Sequence, residues 1–260
     1  MPVPSHVEQM AALARRAGDE ILRIRAGGVV TRTKADSSPV TAADEAAERI
    51  ILRGLGDIFP GVPVIAEEAA AAGQAPEIGR RFLLVDPLDG TKSFIGGRDD
   101  FTVNIALVEN GAPVSGVVLA PASGLLLAGD REAGAFRQVG GGDFAPLAPR
   151  RDERPPRRAV ASLHHRDERT DRWLAEHGID EVVGAGSSLK LCLLAQGEAD
   201  IYPRFGPTME WDIAAGQAVL EAAGGRVLEA DTGRPLLHGK VERGFVNPPF
   251  IALAPGVTMP

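Results

Sequence analysis

Apolar residues recur at helical spacing near the start of the chain. Val7, Met10, Leu13, Ala14, Ala17, Ile21 and Ile24 fall on one helix face, and Gly27-Gly28 ends it. Ser5 followed three residues later by Glu8 predicts a capping box at the start. A second helix is predicted from about Thr41 through Ile50, Ile51 and Leu55, with Pro60 and Pro63 at its exit. Short apolar runs follow. Val64-Ile65-Ala66 predicts a strand ending at Glu67-Glu68, and Phe82-Leu83-Leu84-Val85 predicts another ending at Asp86. Residues 101–108 alternate, Asn110-Gly111 signals a hairpin, and residues 114–119 return. Residues 125–128 extend the same antiparallel sheet.

Residues 140–158 break this pattern with a glycine triplet, several prolines and clustered arginines. They read as a connector between two halves, its arginines as solvated surface charge. Beyond it, Ala159-Val160-Ala161 predicts a strand and residues 168–177 and 187–195 predict helices. A strand at 199–202, a helix at 210–223 stopped by Gly224-Gly225, and strands at Val227-Leu228 and Phe245-Val246 complete the pattern. Strands and helices alternate in both halves, so the class is mixed α and β. The expected organisation is an N-terminal α+β subdomain over residues 1–155 and a C-terminal α/β subdomain over residues 156–260.

Composition narrows the function. Lysine plus arginine against aspartate plus glutamate is 28 − 35, or −7, over 260 residues. That balance argues against a general nucleic-acid or membrane-surface binder. No apolar run reaches the roughly 18 residues of a membrane span. The first ten residues lack the pattern of a secretory signal. Cys192 is the single cysteine and cannot pair within the chain, which points to a reducing compartment. The expected location is the cytoplasm, with at most peripheral contact with the inner membrane.

The acids carry the chemical information. Asp86 and Asp89 belong to Asp86-Pro87-Leu88-Asp89-Gly90-Thr91, directly after an apolar strand. Glu67 also follows an apolar strand, Asp212 starts an alanine-rich helix beside Trp211, and Asp44 lies in the first turn of its own helix. Strand ends and helix starts can aim side chains into a shared cleft. Each acid has a plainer explanation when taken alone. Asp-Pro and Asp-Gly form ordinary turns, Glu67-Glu68 reads as a solvated pair, and Asp44 and Asp212 suit helix starts. Together those explanations require independent coincidences. Two carboxylates three residues apart repel unless positive charge lies between them. Hard oxygen donors without histidine or cysteine select magnesium, manganese or calcium over zinc, and magnesium is usually shared with substrate phosphate. Other chemistries lack their signatures. The sequence has no nucleotide-binding glycine loop of either common kind and no nucleophile elbow, and His164-His165 lacks partners at zinc spacing.

These segments resemble a known family. Asp86-Pro87-Leu88-Asp89-Gly90-Thr91 and Trp211-Asp212-Ile213-Ala214-Ala215-Gly216 are similar to the two signatures of the lithium-sensitive, magnesium-dependent phosphatases related to inositol monophosphatase. Residues 38–44 and 64–68 are similar to the family's upstream segments. The branch resembled is the 3′(2′),5′-bisphosphate nucleotidases, through Lys92-Ser93-Phe94, residues 101–107, residues 186–190 and residues 202–208. Ser93 departs from the commoner glutamate of that branch.

The resemblance implies an α-β-α-β-α layered sandwich and removal of the 3′-phosphate of adenosine 3′,5′-bisphosphate, with the phosphosulfate analogue as a further substrate. The implied role is clearance of a by-product of sulfur assimilation. It implies two or three magnesium ions, with Glu67, Asp86 and the Leu88 carbonyl on one and Asp86, Asp89 and Asp212 on a second. It assigns the attacking water to Asp44 and Thr91 as catalytic residues. Gly90 and Thr91 would meet the phosphate through backbone N–H groups. His165, Ser187, Lys190 and Arg204 would contact the nucleotide, in a cavity that Glu67, Leu88, Asp89 and Asp212 also line. Two other readings stay open on the same motifs: an inositol or sugar-phosphate phosphatase, and a non-catalytic module that senses the nucleotide.

Overall fold

A computed structural model describes residues 2–29, 31–33, 39–148, 154–162 and 167–260. Helix α1 (Ser5–Ala26) is followed by a small antiparallel pair, β1 (Thr31–Thr33) and β2 (Pro39–Thr41), and by α2 (Ala42–Ile58). Then come β3 (Val64–Ala66), α3 (Glu67–Ala71), β4 (Arg81–Asp89), α4 (Thr91–Ile95), β5 (Thr102–Glu109), β6 (Ala112–Ala120), β7 (Leu125–Asp130), β8 (Gly134–Val139) and β9 (Ala145–Pro146). The rest of the chain gives β10 (Arg158–Ser162), α5 (Glu168–Glu176), β11 (Glu181–Ala185), α6 (Leu189–Gln196), β12 (Ile201–Arg204), α7 (Glu210–Ala222), β13 (Arg226–Glu229) and β14 (Phe250–Leu253).

Strands β3 to β9 form one seven-stranded sheet in chain order, and the second sheet runs β11-β10-β12-β14-β13. Side chains alternate across the large sheet because successive strand residues point to opposite faces. Leu83, Val85, Val103, Ile105 and Leu107 pack with α1 and α2. Phe82, Leu84, Ala106 and Val108 pack on the other side with α6, α7 and the second sheet. Burial on both faces explains the nearly continuous apolar runs. Helix α5 contributes Leu174 to the core of the second sheet. The layers are therefore α-β-α-β-α.

Helix α7 lies unusually close to the large sheet. A Cβ on Gly116 would come within 2.6 Å of the Ala215 carbonyl oxygen, and one on Gly129 within 2.5 Å of the Val219 Cα. Small residues on both surfaces let the two backbones meet, which fixes the depth at which Asp212 enters the interior.

Several local expectations need correction. Helix α1 does not use Ser5 as a cap: Val7 and Glu8 donate to the Pro4 carbonyl, and the Ser5 hydroxyl accepts from Gln9 Nε2. Strand β4 does not stop at Asp86 but continues through a bulge to Asp89. Ser187 is outside its predicted helix, with φ of 46°. Phe245 cannot lie in a strand at φ of 64°, and Val246 makes only an isolated bridge to Met209. The C-terminal strand is β14, and β1, β2, α3, α4, β8, β9 and β11 lie outside the elements the sequence pattern predicts. In the connector, Arg154 is no solvated charge, because it pairs with the buried carboxylate of Asp200 at 2.6 Å. The hairpin turn follows expectation: Asn110 and Gly111 both have positive φ, at 52° and 81°, as a two-residue turn of the primed kind requires.

Candidate active site

The site is built where β4 ends. Pro87 has no N–H and cannot join the ladder, and the register with β5 shifts between Asp86 and Asp89. The bulge carries both aspartates to the rim of one cavity. Leu88 N–H donates back to Asp86 Oδ1 at 3.0 Å, which fixes that carboxylate. Gly90 follows with φ of 94°, and a Cβ there would meet the Asp100 carbonyl oxygen at 2.9 Å. Only glycine turns the chain this way into α4, which begins at Thr91.

Other elements bring the remaining acids. Glu67 is the first residue of α3, whose first turn is tied down from α2: the buried carboxylate of Glu48 accepts from the N–H groups of Glu68 at 2.8 Å and Ala69 at 3.0 Å. Asp212 sits in the first turn of α7 and accepts from Met209 N–H at 2.9 Å. A cavity of about 890 Å³ is lined by Glu67, Asp86, Leu88, Asp89 and Asp212. Gly90 and Thr91 line it just after the bulge, and Ser187, Lys190 and Arg204 line it from the second half of the chain. His165 lies outside the described residues.

Asp44 stands one hydrogen bond behind the lining. Its Oδ2 accepts from Thr41 N–H at 2.8 Å and Thr41 Oγ1 at 2.7 Å, the reciprocal cap at the start of α2. Its Oδ1 accepts from Thr91 Oγ1 at 3.2 Å. One carboxylate therefore serves as a helix cap and as a partner of a cavity-lining hydroxyl.

Electrostatics set the character of the cavity. Burial, and then the charges of Glu67, Asp89 and Asp212, hold the Asp86 carboxyl well above the usual range. Burial and the charges of Asp89 and Glu67 do the same to Asp212. Asp89 is raised by burial too, with Lys190 and the Ser188 N–H pulling the other way. Burial raises Asp44, against the Thr41 hydrogen bonds. Lys190 is pulled down to about 8 by burial, which Asp89 opposes. Among the described residues, no three His, Cys, Asp or Glu side chains stand gathered closely enough to hold a metal ion between them. The cavity wall is instead a set of mutually repelling oxygen donors, which stabilises bound positive charge. Hard carboxylate and carbonyl oxygens suit a magnesium-like ion, so this donor set fits one.

A family model for the inositol monophosphatase family matches residues 4–253. The chain belongs to the inositol monophosphatase family. Among curated proteins it is 43% identical to the 3′(2′),5′-bisphosphate nucleotidase CysQ of Shigella flexneri over 246 residues, covering 94% of this chain and 98% of that protein. Identity to the enzyme of the same name from Escherichia coli K12 is 42% over 252 residues, with the same coverage. Among solved structures, CysQ from Bacteroides thetaiotaomicron, described as a bacterial member of this family, superposes with a TM-score of 0.81 at 37% identity. That match covers 96% of this chain and 97% of the other. The extragenic suppressor protein SuhB of Bartonella henselae is similar in structure too, at a TM-score of 0.76 and 25% identity, over 97% of this chain and 95% of that one.

Three residues of the site escaped the sequence reading: Glu48, Asn104 and Ser188. Glu48 looks like any charged residue of an amphipathic helix until its backbone partners are seen. Asn104 and Ser188 sit 84 positions apart yet hydrogen-bond at 2.9 Å. Both fall in segments that carry the family resemblance, yet nothing in the sequence pairs them with each other.

Proposed function

We propose that this chain is a magnesium-dependent phosphatase that removes the 3′-phosphate of adenosine 3′,5′-bisphosphate, giving AMP and phosphate. The single observation that carries this reading is the mixed charge of the cavity lining. The carboxylates share it with two buried cations, Lys190 and Arg204. A bound metal and one phosphate call on the acids, and a second phosphate gives the two cations a partner. The full-length likeness to 3′(2′),5′-bisphosphate nucleotidases supports the same substrate class.

In this reading Glu67, Asp86 and the Leu88 carbonyl would hold one magnesium, and Asp86, Asp89 and Asp212 would hold a second. When bound, the ions supply an acidified water and neutralise the phosphoryl oxygens. The chain's own groups do the rest. Gly90 and Thr91 direct backbone N–H groups at the phosphate. Thr91 Oγ1 takes a proton from the attacking water while passing its own to Asp44 Oδ1. The raised affinity of Asp44 for a proton, a consequence of its burial, suits it to that task. Lys190 and Arg204 grip the 5′-phosphate and place the ribose so that the 3′-ester faces the acids. Arg204 is itself oriented by donating from Nη2 to the Pro207 carbonyl at 2.9 Å.

The test is phosphate release from adenosine 3′,5′-bisphosphate measured beside inositol 1-phosphate. A clear preference in kcat/KM for the bisphosphate is expected. Preference for the inositol ester would reassign the chain to the other substrate class of its family. Tight nucleotide binding with no turnover in saturating magnesium would make it a sensor.

A further inference from the structure

Ser188 touches two of the cavity's acids at once. It occupies the N-cap position of α6 and is 3% exposed. Its hydroxyl is not spent on capping that helix. Instead Oγ donates to the Asp212 backbone carbonyl at 2.6 Å. The Ser188 N–H donates to the Asp89 carboxylate. Asn104, fully buried on β5, completes the arrangement. Its Nδ2 donates to Ser188 Oγ at 2.9 Å and lies 3.4 Å from Asp89 Oδ2. The orientation of this amide follows from the network. The one hydroxyl proton of Ser188 is committed to the Asp212 carbonyl, so the group facing Ser188 must donate.

The loop that carries Ser188 has little freedom. Lys190 Nζ donates to the Ser187 carbonyl, and a Cβ at Gly186 would come within 2.8 Å of the Asp100 carbonyl oxygen. Three elements thus meet at one hydroxyl: β5 of the large sheet, the start of α6 and the start of α7. Asp89 and Asp212 belong to different elements, and as like charges they repel. A short link from the Asp89 carboxylate through Ser188 to the Asp212 backbone carbonyl opposes that repulsion.

We propose that Ser188, supported by Asn104, is a positioning residue that sets the separation of Asp89 and Asp212 and thereby the affinity for the divalent cation these two acids share. The proposal deepens the reading of the cavity as a magnesium site and rests on it. Partners that orient metal ligands from behind typically account for about 10–100-fold in metal affinity.

The test is calorimetric magnesium titration of the full chain, paired with melting in the absence of added metal. Ser188→Ala is expected to weaken magnesium binding by about tenfold or more, with only a small fall in melting temperature without metal. Ser188→Thr, which keeps the hydroxyl, is expected to restore most of that affinity. Asn104→Ala is expected to weaken binding in the same direction, and it decides the matter by the same criterion if Ser188→Ala does not fold. Wild-type magnesium affinity in Ser188→Ala, whether or not its melting point falls, overturns the proposal alone. A wild-type chain that binds no magnesium overturns both the proposal and the reading beneath it.

Discussion

Thr91 Oγ1 lies 3.2 Å from Asp44 Oδ1 and 3.2 Å from the Leu88 carbonyl oxygen. One hydroxyl proton faces two acceptors, so it can serve only one of them fully. That arrangement suits a group that hands a proton onward. Asp44→Asn removes the final acceptor while keeping much of the cap on α2. Steady-state kinetics should show kcat reduced by about 10²–10⁴-fold, the usual range for loss of general base catalysis, with KM little changed. A melting curve separates this from the cost of a weakened cap, about 1 kcal/mol.

Arg204 is 7% exposed and lines the cavity together with the acids. Arg204→Ala should raise KM for adenosine 3′,5′-bisphosphate by about 10–100-fold, the value of charge-assisted hydrogen bonds to one phosphate. Adenosine 3′-monophosphate lacks the 5′-group and should be affected far less. Equal losses on both substrates would remove Arg204 from bisphosphate recognition.

His238 gives the fold a pH signature away from the acids. It is buried against Gln217 and beside Glu210, and burial with the Lys240 charge pulls it down to about 3. The Lys240 ammonium is 2.7 Å from Glu210, so that carboxylate is engaged elsewhere and leaves the imidazole neutral. The unfolded chain takes up a proton near pH 6.5, and the native chain does not until about pH 3. The unfolded state therefore binds more protons in that window, and this residue's contribution to stability is lost as pH falls from 6.5 towards 3. Asp86 and Asp212, held high, work in the opposite sense, so the informative quantity is a difference. Relative to wild type, His238→Gln should gain about 2–3 kcal/mol between pH 6.5 and 4.5. Parallel pH profiles for the two proteins would contradict this.

The contact between α7 and the large sheet leaves no space for a methyl group. Gly129→Ala would force its Cβ against the Val219 backbone, where no side-chain rotation offers relief. Thermal melting should show a loss of about 1–3 kcal/mol, as for overpacked cores. Because α7 carries Asp212, magnesium affinity should fall with it.

What the chain announces openly is what lies contiguous in it. The acids of β4 and α7 sit in unbroken strings with the residues that aim them, and the apolar runs beside them mark buried strands. The large sheet is legible for the same reason, since β4 through β7 alternate between two cores. Features made by distant partners are hidden. Glu48 acts on Glu68 and Ala69 from another helix, and Arg154 finds Asp200 across the second sheet. Phe245 looked like a strand residue because it is apolar, but the Glu210 carboxylate holds the preceding turn through the N–H groups of Gly239 and Lys240. That turn brings Phe245 to φ of 64° beside Trp211. The Ser5 cap failed for a local reason, because Pro4 supplies a carbonyl one position earlier.

The most direct test is phosphate release from adenosine 3′,5′-bisphosphate by the full chain, with magnesium added or removed by a chelator. The account predicts turnover that requires magnesium and disappears in Asp212→Ala while that variant still folds. Equal rates with and without the chelator, or undiminished turnover in Asp212→Ala, would contradict it.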